Sequence, residues 1–338
     1  MNRTKMKIVV FGAGAVGGHV AARLGAGADA AGIEVAVVAR GAQLAAIAEH
    51  GITLWIGSER HCARVRATDR PDSLGIQDVV FVALKSSVLA AAAPGIAPLI
   101  GPDTSIVFAM NGIPWWYLYR CPENGLPSPD LSRLDPSEAL ARTIGLERVI
   151  GCMINSANEI VEPGVIRNSP GTLNKFTLGE PDGTVSRRIE AISAAFERGG
   201  VATPVSTDIR AEIWEKLLRN LSTSPICALT GEPIGVIGRH DELLDLAKAL
   251  MAEGLATARA HGITPEVTVE RAYGKRPSSP HKSSMLQDFE RNRPPEIDGI
   301  LTAVQAFARA AGIATPHLDT ATALVIEKAR KAGLYSTA

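Results

Sequence analysis

Residues 12–17, near the amino terminus, fit the pattern G-x-G-x-x-G, whose spacing suits the binding of a phosphate group. An apolar run, residues 7–11, precedes these glycines and an alanine-rich segment follows, so the pattern predicts a turn between a buried strand and a helix. In such a turn the second glycine lets a pyrophosphate approach the backbone, and the helix N-terminus offers N–H groups to the anion. We therefore predict a dinucleotide site formed by Gly12, Ala13, Gly14, Ala15, Val16 and Gly17.

A single arginine bears on which dinucleotide binds. The second apolar run, residues 34–39, ends at Arg40, where enzymes that use NAD usually carry an acid for the ribose 2′-hydroxyl. A guanidinium suits a 2′-phosphate instead, so we predict NADPH as the cofactor. The alternative is a solvated arginine at the start of a helix.

Two more polar residues follow predicted strands. Lys85 comes after the run 78–84 and Asn111 after the run 104–109. Ligands of open parallel sheets bind at the carboxyl ends of strands, so both side chains are candidates for contact with cofactor or substrate. An ordinary surface lysine and an Asn-Gly turn are the alternatives.

A second group of candidates lies in the carboxyl-terminal half. Lys216, Asn220 and Ser224 are spaced i, i+4, i+8, which gives one polar stripe on a helix. A lysine in a partly apolar setting can act as a general acid; a solvated helix face is the alternative. Farther on, Ser284 has the spacing of a capping box with Gln287, and Glu296 follows two prolines at a helix start.

The apolar runs alternate with helical segments up to residue 207, which predicts a parallel sheet covered on both faces. Strand-like pieces are expected at 149–154, 160–167, 173–179 and 200–205, and residues 114–137 read as a long loop or insertion. From 208 onward the period is helical. We expect an α/β fold, an N-terminal Rossmann-like doubly wound sheet (residues 1–207) followed by an all-α C-terminal domain (residues 208–338).

Composition excludes several classes of protein. The 338 residues carry 35 Lys plus Arg and 35 Asp plus Glu, so no global field attracts nucleic acid or an anionic membrane. No stretch has the length of a membrane span. The four cysteines are scattered without metal-ligand spacing, which predicts reduced thiols in a cytoplasmic protein.

Taken together, these residues resemble the ketopantoate reductase (2-dehydropantoate 2-reductase) family. The matching segments occur in the family's order along nearly the whole chain: Gly12 to Gly17, Arg40, Ala83-Leu84-Lys85-Ser86, Met110-Asn111-Gly112, Trp214-x-Lys216-x-x-x-Asn220, Ser283-Ser284-Met285-Leu286-Gln287-Asp288 and Glu296-Ile297-Asp298. The resemblance implies an NADPH-dependent reduction of 2-dehydropantoate to (R)-pantoate, a step toward pantothenate and coenzyme A. It also allows a homodimer.

The resemblance further implies a role for each candidate. Lys216 would be the general acid, protonating the carbonyl oxygen as hydride arrives. The remaining roles would be contact with cofactor and substrate for Asn111 and Lys85, substrate binding for Asn220 and Ser284, and substrate binding plus positioning of the lysine for Glu296.

Two departures leave the substrate open. Ser224 stands where the family usually carries a second asparagine, and a serine is shorter. The segment with Trp115, Trp116 and Tyr117 is longer than in the family pattern. A paralogue that reduces another small-molecule 2-oxo acid is therefore one alternative, and a non-enzymatic NADP(H)-binding protein is another.

Overall fold

The computed structural model describes residues 5–169 and 171–336, which form two compact units. The first comprises the described residues up to Met110, with Leu118–Arg120 and Glu138–Ile209. The second comprises Asn111–Tyr117, Cys121–Ser137 and the described residues from Arg210 onward. The division at residue 207 stays a prediction about domains; the compact units differ from it because two earlier segments pack with the helical part.

The first unit is built on a seven-stranded sheet. Its strands are β1 (Met6–Phe11), β2 (Ile33–Val38), β5 (Arg66–Thr68), β6 (Val79–Val82), β7 (Ser105–Met110), β8 (Val149–Asn155) and β11 (Lys175–Gly179). They lie in the order β11-β8-β7-β6-β1-β2-β5. All neighbours pair in parallel except β11, which is antiparallel to β8. The central strands β1, β2, β6 and β7 are rich in Val, Ile and Phe, as expected for strands buried on both faces.

A second sheet in this unit was not predicted. It has four strands in the order β4-β3-β10-β9: β3 (Ile52–Ile56), β4 (Glu59–Ala63), β9 (Asn158–Glu162) and β10 (Val165–Asn168). The run expected as one strand at 160–167 is therefore a hairpin that turns at Gly164, whose φ is +78°. Glycines on the first helix allow this sheet to lie close, since a Cβ at Gly18 would be 2.7 Å from Ile166.

Six α-helices of the described chain belong to the first unit: α1 (Ala15–Ala26), α2 (Ala28–Ala31), α3 (Gly41–His50), α4 (Ser86–Ile96), α5 (Ala139–Ile144) and α6 (Arg187–Arg198). The strand expected at 200–205 was wrong. Ala202 and Val205 form only isolated bridges to β11, and Pro204 between them has no N–H to donate to a ladder.

The second unit is helical, which confirms the predicted fold class. Its helices are α7 (Ile209–Thr230), which begins with the last residue of the first unit, α8 (Gly235–Arg239), α9 (Asp241–Ala260), α10 (Val269–Tyr273), α11 (Ser284–Glu290), α12 (Ala303–Ala310) and α13 (Pro316–Lys331). A single π-helical turn, Asp298–Thr302, leads into α12. Within the described ranges, no helix combines the length and apolarity needed to cross a bilayer.

The segment 114–137 is irregular, as predicted, yet its aromatic beginning belongs to the core. Trp115, Trp116 and Tyr117 are all buried. The Trp214 indole N–H donates to the Tyr117 hydroxyl over 2.8 Å, and Tyr117 meets Phe307 edge to face at 5.3 Å. Trp115, Trp116 and Tyr117 are therefore a packed part of the second unit, because large rings need an apolar partner.

Candidate active site

The fold itself requires glycine at two positions of the turn between β1 and α1. Gly12 has φ +104°, and a Cβ there would lie 2.7 Å from Cδ2 of Leu84. A Cβ at Gly17 would overlap the carbonyl oxygen of Gly12, so only glycine allows α1 to begin this close to β1.

Gly14 is different, because nothing in the fold demands a glycine there. Its φ is −71°, which any residue adopts, and no heavy atom lies within 4 Å of the place a Cβ would occupy. It is the N-cap of α1, and no side chain caps this helix end. The space above Gly14 and the N–H groups at the start of α1 fit a dinucleotide pyrophosphate.

Arg40 and Lys85 come to the same edge of the sheet as the glycine turn. Arg40 is exposed at the N-cap of α3, after β2, and Lys85 is half-buried at the N-cap of α4, after β6. Both strands pair with β1 in parallel, so the three carboxyl ends lie side by side. Asp69 and Arg70 follow β5 at this edge as well, and sequence analysis had not considered them.

Gln43 is a further residue that sequence analysis missed. Its amide nitrogen donates to the carbonyl oxygen of Ala13 over 2.6 Å, and its amide oxygen accepts from the backbone N–H of Gly164 over 3.0 Å. Gln43 therefore joins the glycine turn to the second sheet. No local pattern could reveal this, because Gly164 lies 121 residues away in the chain.

In the second unit, three predicted site residues form one hydrogen-bonded chain. The Lys216 ammonium donates to the Asn111 amide oxygen over 2.7 Å, and the Asn111 amide nitrogen donates to Oε2 of Glu296 over 3.0 Å. Glu296 is only 5% exposed and Lys216 is half-buried. Each of these hydrogen bonds has one charged partner, and such bonds are stronger than neutral ones where little solvent competes. The amide thus holds an ammonium, the only proton donor with a positive charge in this chain of bonds, in a fixed position.

Two other candidates of this unit, Asn220 and Ser224, lie on the same helix as Lys216. Helix α7 forms over the predicted segment and continues to Thr230, with Asn220 half-buried one turn after Lys216. Ser224 is buried one turn further, directly before Pro225. All three lie on one stripe of α7, as predicted.

Ser284 is exposed at the first position of α11. The predicted capping box was wrong by one residue, because the cap is Ser283, whose hydroxyl accepts from the Leu286 N–H over 3.2 Å. Gln287 donates to the carbonyl oxygen of Lys282 instead of closing the box. The Ser284 side chain therefore does not serve as the helix cap.

Two family models match this chain. The model described as ketopantoate reductase PanE/ApbA matches residues 8–115, and the one described as its C terminal matches residues 208–329. The chain belongs to the ketopantoate reductase family. The 2-dehydropantoate 2-reductase of Mesorhizobium japonicum is 42% identical over 332 residues, which cover 98% of this chain and 100% of the relative. As a ketopantoate reductase family member, the protein is a nicotinamide-dependent oxidoreductase.

Solved structures agree with this membership. The 2-dehydropantoate 2-reductase from Geobacter metallireducens GS-15 superposes with a TM-score of 0.81 and 27% identity, over 96% of this chain and 100% of that one. A ternary structure of D-mandelate dehydrogenase with NADH and anilino(oxo)acetate gives a TM-score of 0.78, covering 98% and 100% of the two chains. The two chains are only 19% identical, so this likeness shows that they share a fold and nothing about function.

Proposed function

We propose that this protein reduces 2-dehydropantoate to (R)-pantoate with NADPH, with Lys216 as the general acid, in the pathway toward pantothenate and coenzyme A. The observation that carries the proposal is the chain of hydrogen bonds from Glu296 through Asn111 to Lys216. Bound NADPH supplies the hydride to the carbonyl carbon of the substrate. The Lys216 ammonium gives its proton to the carbonyl oxygen and stabilises the negative charge that develops there.

The neighbouring side chains hold the substrate in this proposal. Asn220 and Ser284 bind its carboxylate and hydroxyl, with Ser224 reaching the same group through a water. Glu296 accepts from a substrate hydroxyl and keeps Asn111 in place for Lys216. Lys85 and Asn111 contact cofactor and substrate.

Activity with the purified protein tests the chemistry. NADPH oxidation with 2-dehydropantoate is expected for the wild type, and Lys216→Ala should lower kcat by about 10²- to 10⁴-fold while keeping NADPH affinity. Arg219→Ala is the matched control, since Arg219 is exposed on the same helix and pairs with Glu215. A Lys216→Ala enzyme with the kcat of the Arg219→Ala enzyme would refute the proposed acid.

The preference for NADPH rests on Arg40, whose guanidinium is exposed at the end of β2. Arg40→Ala should weaken NADPH binding much more than NADH binding, because only NADPH carries the 2′-phosphate. Arg66→Ala, an exposed arginine on β5 whose guanidinium donates to the Ser73 carbonyl, serves as the control. Equal losses for both dinucleotides in Arg40→Ala would remove the argument for NADPH.

A second candidate substrate class is favoured by Ser224, which replaces the second asparagine of the family pattern. The paralogue hypothesis predicts faster turnover of a different branched or bulky 2-oxo acid. A panel of 2-oxo acids separates the two: kcat/KM highest for 2-dehydropantoate supports the first, and a much higher value for another acid supports the second. A cytoplasmic location and a homodimer stay predictions, and the mass of the particle in solution tests the latter.

A further inference from the structure

Two glycines in the second unit bring the backbones that carry Asn111 and Glu296 into direct contact. The N–H of Ile113 donates to the carbonyl oxygen of Gly299 over 2.7 Å. A Cβ at Gly112 would overlap the backbone of Gly299, and a Cβ at Gly299 would lie 3.3 Å from the Ile113 carbonyl oxygen. A side chain at Gly112 would force the opposite backbone to move, and one at Gly299 would displace the neighbouring carbonyl oxygens by a few tenths of an ångström.

The contact lies beside the hydrogen bond that the proposed reaction needs. Gly112 directly follows Asn111, and Gly299 comes three residues after Glu296. The Asn111 amide and the Glu296 carboxylate, which these segments carry, are joined over 3.0 Å. A change in the spacing of the two backbones therefore changes the position of Asn111 and, through it, of the Lys216 ammonium.

The Gly299 segment is also held from its other side. Asp298 begins the π-helical turn, and its Oδ1 accepts from Nε of Arg133 over 2.8 Å and from the Tyr335 hydroxyl over 2.7 Å. Such π-helical turns are frequent at functional sites. With Asp298 anchored, the segment cannot relax easily away from an added side chain at Gly112.

We propose that Gly112 and Gly299 are positioning residues for the proposed reaction, because their backbone contact sets the place of Asn111 between Glu296 and Lys216. The inference rests on the proposed role of the Lys216 ammonium. It goes beyond a turn-forming role for Gly112, which would require a positive φ but no close approach to Gly299.

A matched pair of glycines separates close approach from backbone strain. Gly112 has φ +74° and Gly262 has φ +76°, but a Cβ at Gly262 would meet no atom within 4 Å. Gly112→Ala and Gly262→Ala therefore share the strain of a left-handed alanine, and only the first adds the clash. Gly299→Ala provides a milder version of the clash without a positive φ.

The experiment measures kcat, its pH profile, the NADPH Kd and the Tm of the full-length variants. We expect Gly112→Ala and Gly299→Ala to lower kcat by about 10- to 100-fold and to displace the pH profile of kcat, with a smaller effect on the NADPH Kd. Gly262→Ala should have a lower Tm than the wild type but the same kcat and pH profile. If Gly112→Ala does not fold, Gly299→Ala decides.

Wild-type kcat and pH profile in Gly299→Ala would overturn the inference. Asn111→Ala distinguishes this failure from failure of the proposed function. If Asn111→Ala is impaired and Gly299→Ala is normal, only the positioning role of the backbone contact is refuted. If Asn111→Ala is fully active, the role of Asn111 in the reaction is refuted as well.

Discussion

Gly14→Ala should weaken dinucleotide binding and leave the fold intact. The added methyl group enters open space, since no heavy atom lies within 4 Å and the φ of −71° is ordinary. In the complex, that methyl group would stand where the pyrophosphate meets the N-terminus of α1. Displacing one charge-assisted hydrogen bond costs about 1.5–3 kcal/mol, which corresponds to about 10- to 150-fold in the NADPH Kd.

Titration of the intrinsic fluorescence of NADPH with protein measures that Kd, and thermal unfolding measures the stability. Gly95→Ala is the control in the same unit, because a Cβ there would make only an ordinary contact, 3.4 Å from Cζ of Phe11. It should keep the NADPH Kd and gain up to about 1 kcal/mol of stability from helix propensity. A Gly14→Ala protein that binds NADPH like Gly95→Ala would show that the dinucleotide does not lie on this turn.

Three further predictions concern contacts that support the two units. Gln43→Glu keeps an acceptor for the Gly164 N–H but loses the donor to Ala13, so the NADPH Kd should rise about 2- to 10-fold, measured by the same titration; an unchanged Kd would refute the bridge. Burial lowers the pKa of His19 from 6.5 to about 4, so the unfolded state binds a proton more readily than the folded state. About 3 kcal/mol of the free energy of unfolding is therefore lost as the pH falls from 6.5 toward 4. In urea unfolding His19→Gln should flatten this dependence, and the exposed His50→Gln should not. Glu253 accepts from two N–H groups at the start of α13, so Glu253→Ala should lower the free energy of unfolding by about 1–2 kcal/mol without changing the NADPH Kd.

The sequence predicted those parts of the fold that depend on local patterns. Near-continuous apolar runs such as residues 78–84 predicted the parallel sheet, and helical spacing predicted α7 and α9. The second sheet was missed because it joins strands from two distant parts of the chain, with half-exposed residues such as Trp55 and Ile160. The strand expected at 200–205 failed because Pro204 has no N–H to donate to β11, which leaves isolated bridges on either side.

The candidate site shows the same division between local and long-range information. The spacing of Lys216, Asn220 and Ser224 predicted one helix face, and that face is present. The hydrogen-bonded chain that contains Lys216 could not be predicted from spacing. Asn111 precedes Lys216 by 105 residues, and Glu296 follows Asn111 by 185. The resemblance to the family proposed the same residues for one site, and the geometry adds that Asn111 stands between the two charged groups.

The distribution of residues between the units has a consequence for kinetics. The glycine turn, Arg40 and Gln43 belong to the first unit, whereas Lys216, Asn111 and Glu296 belong to the second. Substitutions in the first set should therefore raise the NADPH Kd, and substitutions in the second should lower kcat. A glycine such as Gly14 and one such as Gly299 both exclude a side chain, but the first keeps space for a ligand and the second keeps two backbones together. If both kinds of substitution changed the NADPH Kd and kcat together, cofactor binding and proton transfer would not be separable in this protein.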